Sequence, residues 1–281
     1  MKAAFIGLGL IGGSIAYAMR HEYPDSVIVA LNRSSAPLEK AVAEGVADIA
    51  LHDVTDDFSD CDFIFLCAPV HTNITFLEKL KPYIGGKTVL TDVGSVKGEI
   101  HKAVSEILPD AHFIGGHPMA GREKSGFENA SAGLINNAYY FLTPSENAST
   151  DDIRRLETLV LRIGCIPVTV DPDTHDYIVA AISHVPHMAA FSLVHLIKDS
   201  DTPEQYMKYT AAGGFKDITR VASSEPTMWE QIALSNKDNI IKLMDSYISE
   251  LTSIRNLIEQ NDGPALHKIF EEARDYRNSI K

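Results

Sequence analysis

Short continuous apolar runs alternate with amphipathic segments over positions 1–170 of the chain. Residues 3–9 (AAFIGLG), 26–32 (SVIVALN), 62–69 (DFIFLCAP), 87–95 (KTVLTDVGS), 112–118 (HFIGGHP), 137–144 (NAYYFLTP) and 166–171 (IPVTVD) read as strands. Between them, LIGGSIAYAMRHE, APLEKAVAEGV, TNITFLEKLKPYI, VKGEIHKAVSEIL and TDDIRRLETLVLRIG carry helical spacing. Strands that are apolar throughout are buried on both faces. With helices between them they predict a mostly parallel sheet covered on both sides. Ligands of such sheets sit beyond the carboxyl ends of the strands, so the residues just after each run carry the chemistry.

From position 171 the pattern changes to helix alone, with no strand evident. DTHDYIVAAISHVPHMAAFSLVHLIKD has helical period, and Pro186 is expected to kink or break it. The pattern therefore predicts an α/β chain with two domains. Residues 1–170 form the α/β domain with a mostly parallel sheet, and residues 171–281 an all-helical domain. The long apolar helical stripes of the second part call for a partner, and a homodimer is the expected arrangement.

Composition narrows the function classes. Of 281 residues, 45% are hydrophobic and 22% charged, as in an ordinary globular protein. The net charge of -13 argues against nucleic acid or an anionic membrane surface as partner, while leaving room for a local basic pocket. Cys61, Cys67 and Cys165 have neither metal-ligand spacing nor the look of a disulfide framework, which fits a reduced, cytoplasmic compartment. The opening MKAAFIGLGLIGGS is too interrupted for a secretory signal. No stretch is expected to reach the roughly 18 apolar residues of a membrane span.

Five short motifs carry candidate chemistry. In GLGLIG, Gly7, Gly9 and Gly12 fit the dinucleotide fingerprint between a strand and a helix, so residues 1–170 are expected to be a dinucleotide-binding domain of Rossmann type and residues 171–281 the helical substrate and dimerisation domain. The first glycine allows a tight turn, the second lets backbone approach a pyrophosphate, and the third lets helix and strand pack closely. Leu10 and Ile11, together with Ala68 and Pro69 after the third predicted strand, complete the expected cofactor contacts. After the second strand, where an acidic residue would hold the adenine ribose of NAD, the chain has Asn32, Arg33 and Ser34. Asn32 can bond a ribose hydroxyl and Arg33 can take a 2′-phosphate, so NAD is expected with NADP possible.

TDVGSVKGE places Ser95 either as a helix N-cap or as a contact to substrate or nicotinamide, with Lys97 read as surface or as setting local charge. In GGHPMAGREKSG, His117 sits at a strand exit before Pro118, where a near-neutral pKa suits a general base; Glu123 reads as pairing with Arg122 or Lys124. ISHVPH puts Ser183, His184 and His187 within five residues. A pocket for an anionic substrate suits them better than a metal, because no third ligand accompanies them. In AAGGFKDITRVASSEPTMW, Arg220 can fork a carboxylate, and Trp229 reads as core or subunit interface.

Taken together, GLGLIGGS, TDVGSVK, GGHPMAGREKSG, ISHVPH and AAGGFKDITRVASSEPTMW resemble the prephenate dehydrogenases of tyrosine biosynthesis over essentially the whole chain. The resemblance implies oxidative decarboxylation of prephenate to 4-hydroxyphenylpyruvate with hydride transfer to the nicotinamide. It implies that His117 takes the proton of the ring C4 hydroxyl and that Ser95 shares that hydroxyl and orients His117. Arg220 would bind a substrate carboxylate, with Ser183, His184 and His187 lining the pocket. Glu123 would stand at its mouth. Arogenate dehydrogenase is the alternative within the family, and a non-catalytic dinucleotide sensor the alternative outside it. Neither the chorismate mutase nor the regulatory domain fused to some relatives is expected here.

Overall fold

A computed structural model describes residues 1–122 and 124–280. The chain divides into two compact units, Met1–Asn236 and Lys237–Lys281. In the first, eight strands form one sheet among the described residues. They are β1 (Lys2–Ile6), β2 (Val27–Leu31), β3 (Ile49–Leu51), β4 (Phe63–Leu66), β5 (Val89–Asp92), β6 (His112–Pro118), β7 (Tyr139–Pro144) and β8 (Ile166–Thr169). The order is β3-β2-β1-β4-β5-β6-β7-β8, parallel throughout except for the antiparallel β6–β7 pair. The strand order reverses between β1 and β4, and the crevice beyond their carboxyl ends is where such sheets bind ligands.

Side-chain alternation along each strand feeds two apolar layers. Ala3 and Phe5 of β1, with Phe63 and Phe65 of β4, face the layer built with α1 (Leu10–Glu22), α2 (Ser35–Ala43) and α5 (Thr150–Arg162). Ala4, Ile6, Ile64 and Leu66 face the layer built with α3 (Val70–Leu80) and α4 (Gly98–Ile107). Double-sided burial explains why these strands read as apolar runs. The seven expected strands are all present. The eighth, β3, has only three residues, half-buried or exposed beside β2, too short and too polar in its flanks to show in the pattern.

At Pro186, where a kink or a break was expected, the helix does not break. A continuous helix runs from Pro172 to Ser200 as α6 (Pro172–Val179), a π-helical turn (Ala180–His184) and α7 (Val185–Ser200). Val185 N–H donates to the carbonyl of Ala180, five residues back. This widened turn takes up the missing N–H and ring of Pro186 without ending the helix. Read through the proline, its 29 residues are long and apolar enough to cross a membrane by length and composition. That corrects the expectation that no such stretch exists. Further on come α8 (Tyr206–Thr210), α9 (Gly213–Thr219), a 3₁₀ turn at Arg220–Ser223 and α10 (Pro226–Ser235). The second unit is the pair α11 (Lys237–Glu259) and α12 (Gly263–Ser279), packed on each other.

Gly116 of β6 illustrates how closely the sheet packs near its carboxyl edge. A Cβ there would stand 2.5 Å from the Asp92 carbonyl and 2.9 Å from the Tyr140 ring. Gly116→Ala is therefore expected to lower stability by about 1–3 kcal/mol, the usual cost of overpacking. Gly121→Ala, whose Cβ would meet nothing within 4 Å, is the neutral control. Urea unfolding of the two variants checks this.

Candidate active site

The glycine turn has the geometry its spacing implies. Gly7 has φ +91°, and a Cβ on it would sit 2.7 Å from the Ala68 backbone N. A Cβ on Gly12 would lie 2.8 Å from the Cys67 Cβ, so Gly12 lets α1 close onto the end of β4. Gly9, the residue before α1, has nothing within 4 Å of its Cβ position. That open space lies at a helix N-terminus, whose first N–H groups lack intrahelical acceptors and favour an anion. Leu10 and Ile11 are half-buried in the first turn of α1. Ala68 and Pro69 cross the same edge, held by buried Asn73, whose amide donates to the Ala68 carbonyl at 2.8 Å and accepts from its N–H at 3.1 Å. After β2, the Asn32 amide donates to Ser34 Oγ at 3.0 Å, while Arg33 and Ser34 are exposed.

At the carboxyl end of β6, His117 is buried and its Nδ1 lies 2.9 Å from His175 Nε2. His175 Nδ1 lies 2.7 Å from Asp176 Oδ1. The Asp176 carboxylate also accepts the backbone N–H groups of Lys97 (2.8 Å) and Gly98 (2.9 Å). An acid on α6 thus caps α4, whose own N-cap residue, Lys97, supplies no side-chain cap. Ser95 is half-buried two residues before that N-cap, so the N-cap role open to it in the sequence falls elsewhere.

Lys97 overturns its reading as a surface residue. Its side chain is fully buried, and its Nζ pairs with buried Asp92 and donates to the Gly116 carbonyl at 2.8 Å. Burial pulls its pKa down, and Asp92 opposes that pull. Asp92 in turn accepts from the N–H groups of Gly94 (2.8 Å) and Gly116 (3.1 Å), tying β5 to β6 just below His117.

On the helical side, His184 is buried and Ser183 and His187 are half-buried. His187 Nδ1 lies 2.8 Å from the Ser183 carbonyl, and its ring stacks on Trp229 at 3.7 Å between centroids. Trp229 also packs with Val96, Ile232, Met188 and Phe191, bringing α7 and α10 to the loop that carries Ser95. The Asn236 amide joins the Asp176 carbonyl (2.7 Å) to His184 Nδ1 (3.3 Å). Arg220 is exposed in the 3₁₀ turn that packs on α7. Glu123 lies outside the described residues. His175, Asp176, Asp92 and Asn236 escaped sequence reasoning. The one available signal was the adjacent His175–Asp176 pair opening a helix after a strand.

Residues 15–167 match the family described as prephenate dehydrogenase, nucleotide-binding domain, and residues 171–272 match prephenate dehydrogenase, dimerization domain. The chain is 38% identical over 276 residues to a prephenate dehydrogenase of Bacillus subtilis, covering 98% of this chain and 74% of that protein. The crystal structure of prephenate dehydrogenase from A. aeolicus in complex with hydroxyphenyl propionate and NAD+ superposes with a TM-score of 0.93 at 32% identity, covering 100% of this chain and 98% of that one. Synechocystis arogenate dehydrogenase superposes with a TM-score of 0.88 at 30% identity, over 100% of both chains.

Burial holds the histidines of this region neutral. It pulls His101 and His184 down to about 4, and lowers His117, His175 and His187 below the usual 6.5. Once unfolded, these rings take up protons from pH 6.5 downward, while the folded chain refuses them. Their contribution to stability is complete above pH 6.5 and drains away as pH falls toward 4. The urea midpoint is expected to fall steadily across that window, and less steeply in His184→Gln. A flat profile would contradict the neutral cluster.

Proposed function

Because the chain belongs to the prephenate dehydrogenase family, we propose that it converts prephenate to 4-hydroxyphenylpyruvate and CO2, passing a hydride to NAD. The observation that carries this reading is His117, buried and neutral at the sheet's carboxyl edge, the edge that also bears the glycine turn. The open space over Gly9 and the N-terminus of α1 fit a pyrophosphate, and Leu10, Ile11, Ala68 and Pro69 would flank the cofactor. When bound, NAD supplies the hydride acceptor.

The residues of the chain do the rest. His117 accepts the hydrogen bond of the ring C4 hydroxyl and takes its proton as the hydride leaves C4. Loss of the ring carboxylate as CO2 makes the ring aromatic, and His117 returns the proton to the phenolate oxygen. Ser95 shares that hydroxyl. Arg220 binds a substrate carboxylate, with Ser183, His184 and His187 lining the pocket and Glu123 at its mouth. We also place the domain boundary at residues 170/171, the protein in the cytoplasm, and the assembly as a homodimer. Exposed Ile182, Val194 and Leu196 on the long helix support a self-association face.

His117→Asn is expected to lower kcat by about 100-fold or more with NAD affinity intact, the usual loss for a general base. Arg220→Ala should instead raise KM for prephenate. Unchanged turnover in the first, or unchanged KM in the second, removes that residue from its role. Arogenate turnover well above that of prephenate overturns the substrate assignment.

For the cofactor, Asn32 stands where a carboxylate would repel a 2′-phosphate. We expect kcat/KM to favour NAD, and Asn32→Asp to widen the margin over NADP by about tenfold, equivalent to about 1.4 kcal/mol. A preference for NADP in the parent enzyme contradicts this.

A further inference from the structure

The chain of groups behind His117 has a definite proton order. Both Asp176 oxygens face backbone donors, Oδ1 the N–H of Lys97 and Oδ2 the N–H of Gly98, so this carboxylate is built to accept. Its third neighbour, His175 Nδ1, 2.7 Å from Oδ1, must therefore carry a hydrogen and donate it. His175 is completely buried, and its ring meets Phe141 edge-on at 5.2 Å between centroids. A neutral imidazole protonated at Nδ1 has an unprotonated Nε2. That Nε2 lies 2.9 Å from His117 Nδ1, so His117 must donate there. A neutral His117 that spends its one hydrogen at Nδ1 keeps a lone pair at Nε2.

We propose that His175 and Asp176 are positioning residues that hold His117 as the Nδ1–H tautomer and so present Nε2 as the proton acceptor. The assignment rests on His117 being the base of the reaction. Asp176 sets the tautomer of two rings in succession, and its negative charge, one ring removed, stabilises the His117 imidazolium formed during turnover. The contact with His175 Nε2 also fixes the plane of the His117 ring, which β6 alone would leave to rotate about χ2. Burial favours the neutral form of both rings, as this order of protons requires. Lys97, the nearby cation, spends its donors on Asp92 and Gly116 and does not compete for Asp176 with its side chain.

The test reads the tautomer directly. Long-range ¹H–¹⁵N spectra of the full-length protein, with the His117 signal assigned by its loss in His117→Asn, are expected to show Nδ1 protonated and Nε2 bare. In His175→Phe the tautomer should shift toward Nε2–H. There kcat should fall by about 10- to 100-fold, the range for losing such a supporting partner, while KM for prephenate and NAD affinity stay unchanged. His175→Gln keeps an amide oxygen for His117 Nδ1–H and should retain the tautomer and most of the turnover. If His175→Phe does not fold, the wild-type and Gln spectra decide alone. An Nε2–H tautomer in the wild type, or full kcat in His175→Phe, overturns the proposal. A wild-type protein with the expected tautomer but inert toward prephenate overturns the substrate assignment and leaves the role of His175 standing.

Discussion

The carboxylate of Asp176 is the constraint on which this site depends. It receives the N–H groups of Lys97 and Gly98 and lies beside the Nδ1 of His175. One side chain thereby starts α4, joins α6 to the loop after β5, and sets the ring behind His117. Its own backbone carbonyl is held by Asn236, from the far end of α10. Such a buried acceptor is costly to leave without donors and costly to remove once donors depend on it. Helix capping and the placing of His175 behind His117 therefore share one carboxylate, which reaches residues nearly eighty positions away.

Next to it lies a buried ion pair whose value is in position more than in stability. Lys97 and Asp92 are both withdrawn from water, and pairs of that kind rarely outperform apolar packing in free energy. What this pair secures is register: Asp92 and Lys97 together engage the N–H and the carbonyl of Gly116, immediately before His117. The glycines there follow from this arrangement. A side chain at Gly115 would strike Thr143, His101 and Lys97, and one at Gly116 would strike Asp92 and Tyr140. Their smallness makes room for the packing beneath the site, which the sequence pattern, reading a strand there, does not show.

Legibility followed range. Strands buried on both faces announce themselves as apolar runs, and the turn at Gly7, Gly9 and Gly12 carries its own geometry in its spacing. β3 escaped because three edge residues, half-buried or exposed, have no such signature. Pro186 was expected to kink or break the helix because local rules forbid the ordinary α-helical bond there; the π turn at Ala180–His184 satisfies the backbone another way and the helix continues. Lys97 was read as surface or as setting local charge, because a lysine is seldom buried; only Asp92, Gly116 and the layers around them make its burial tolerable. Arg220 shows the reverse: its motif is plain in the chain, and the fold of one chain leaves it exposed on the turn beside α7.

The sequence by itself determined the class of fold, the nucleotide turn and the identity of His117 as the group to watch, because periodicity, glycine spacing and intrinsic pKa are local properties. Tertiary structure decided what the His117 ring faces, the Nε2 of His175 beside its Nδ1. That depends on Asp176 reaching across to α4, on His175 standing between them, and on the exclusion of water that keeps both rings neutral. None of these is a property of a residue and its neighbours in the chain. Each comes from the sheet edge and the first long helix meeting at one buried carboxylate.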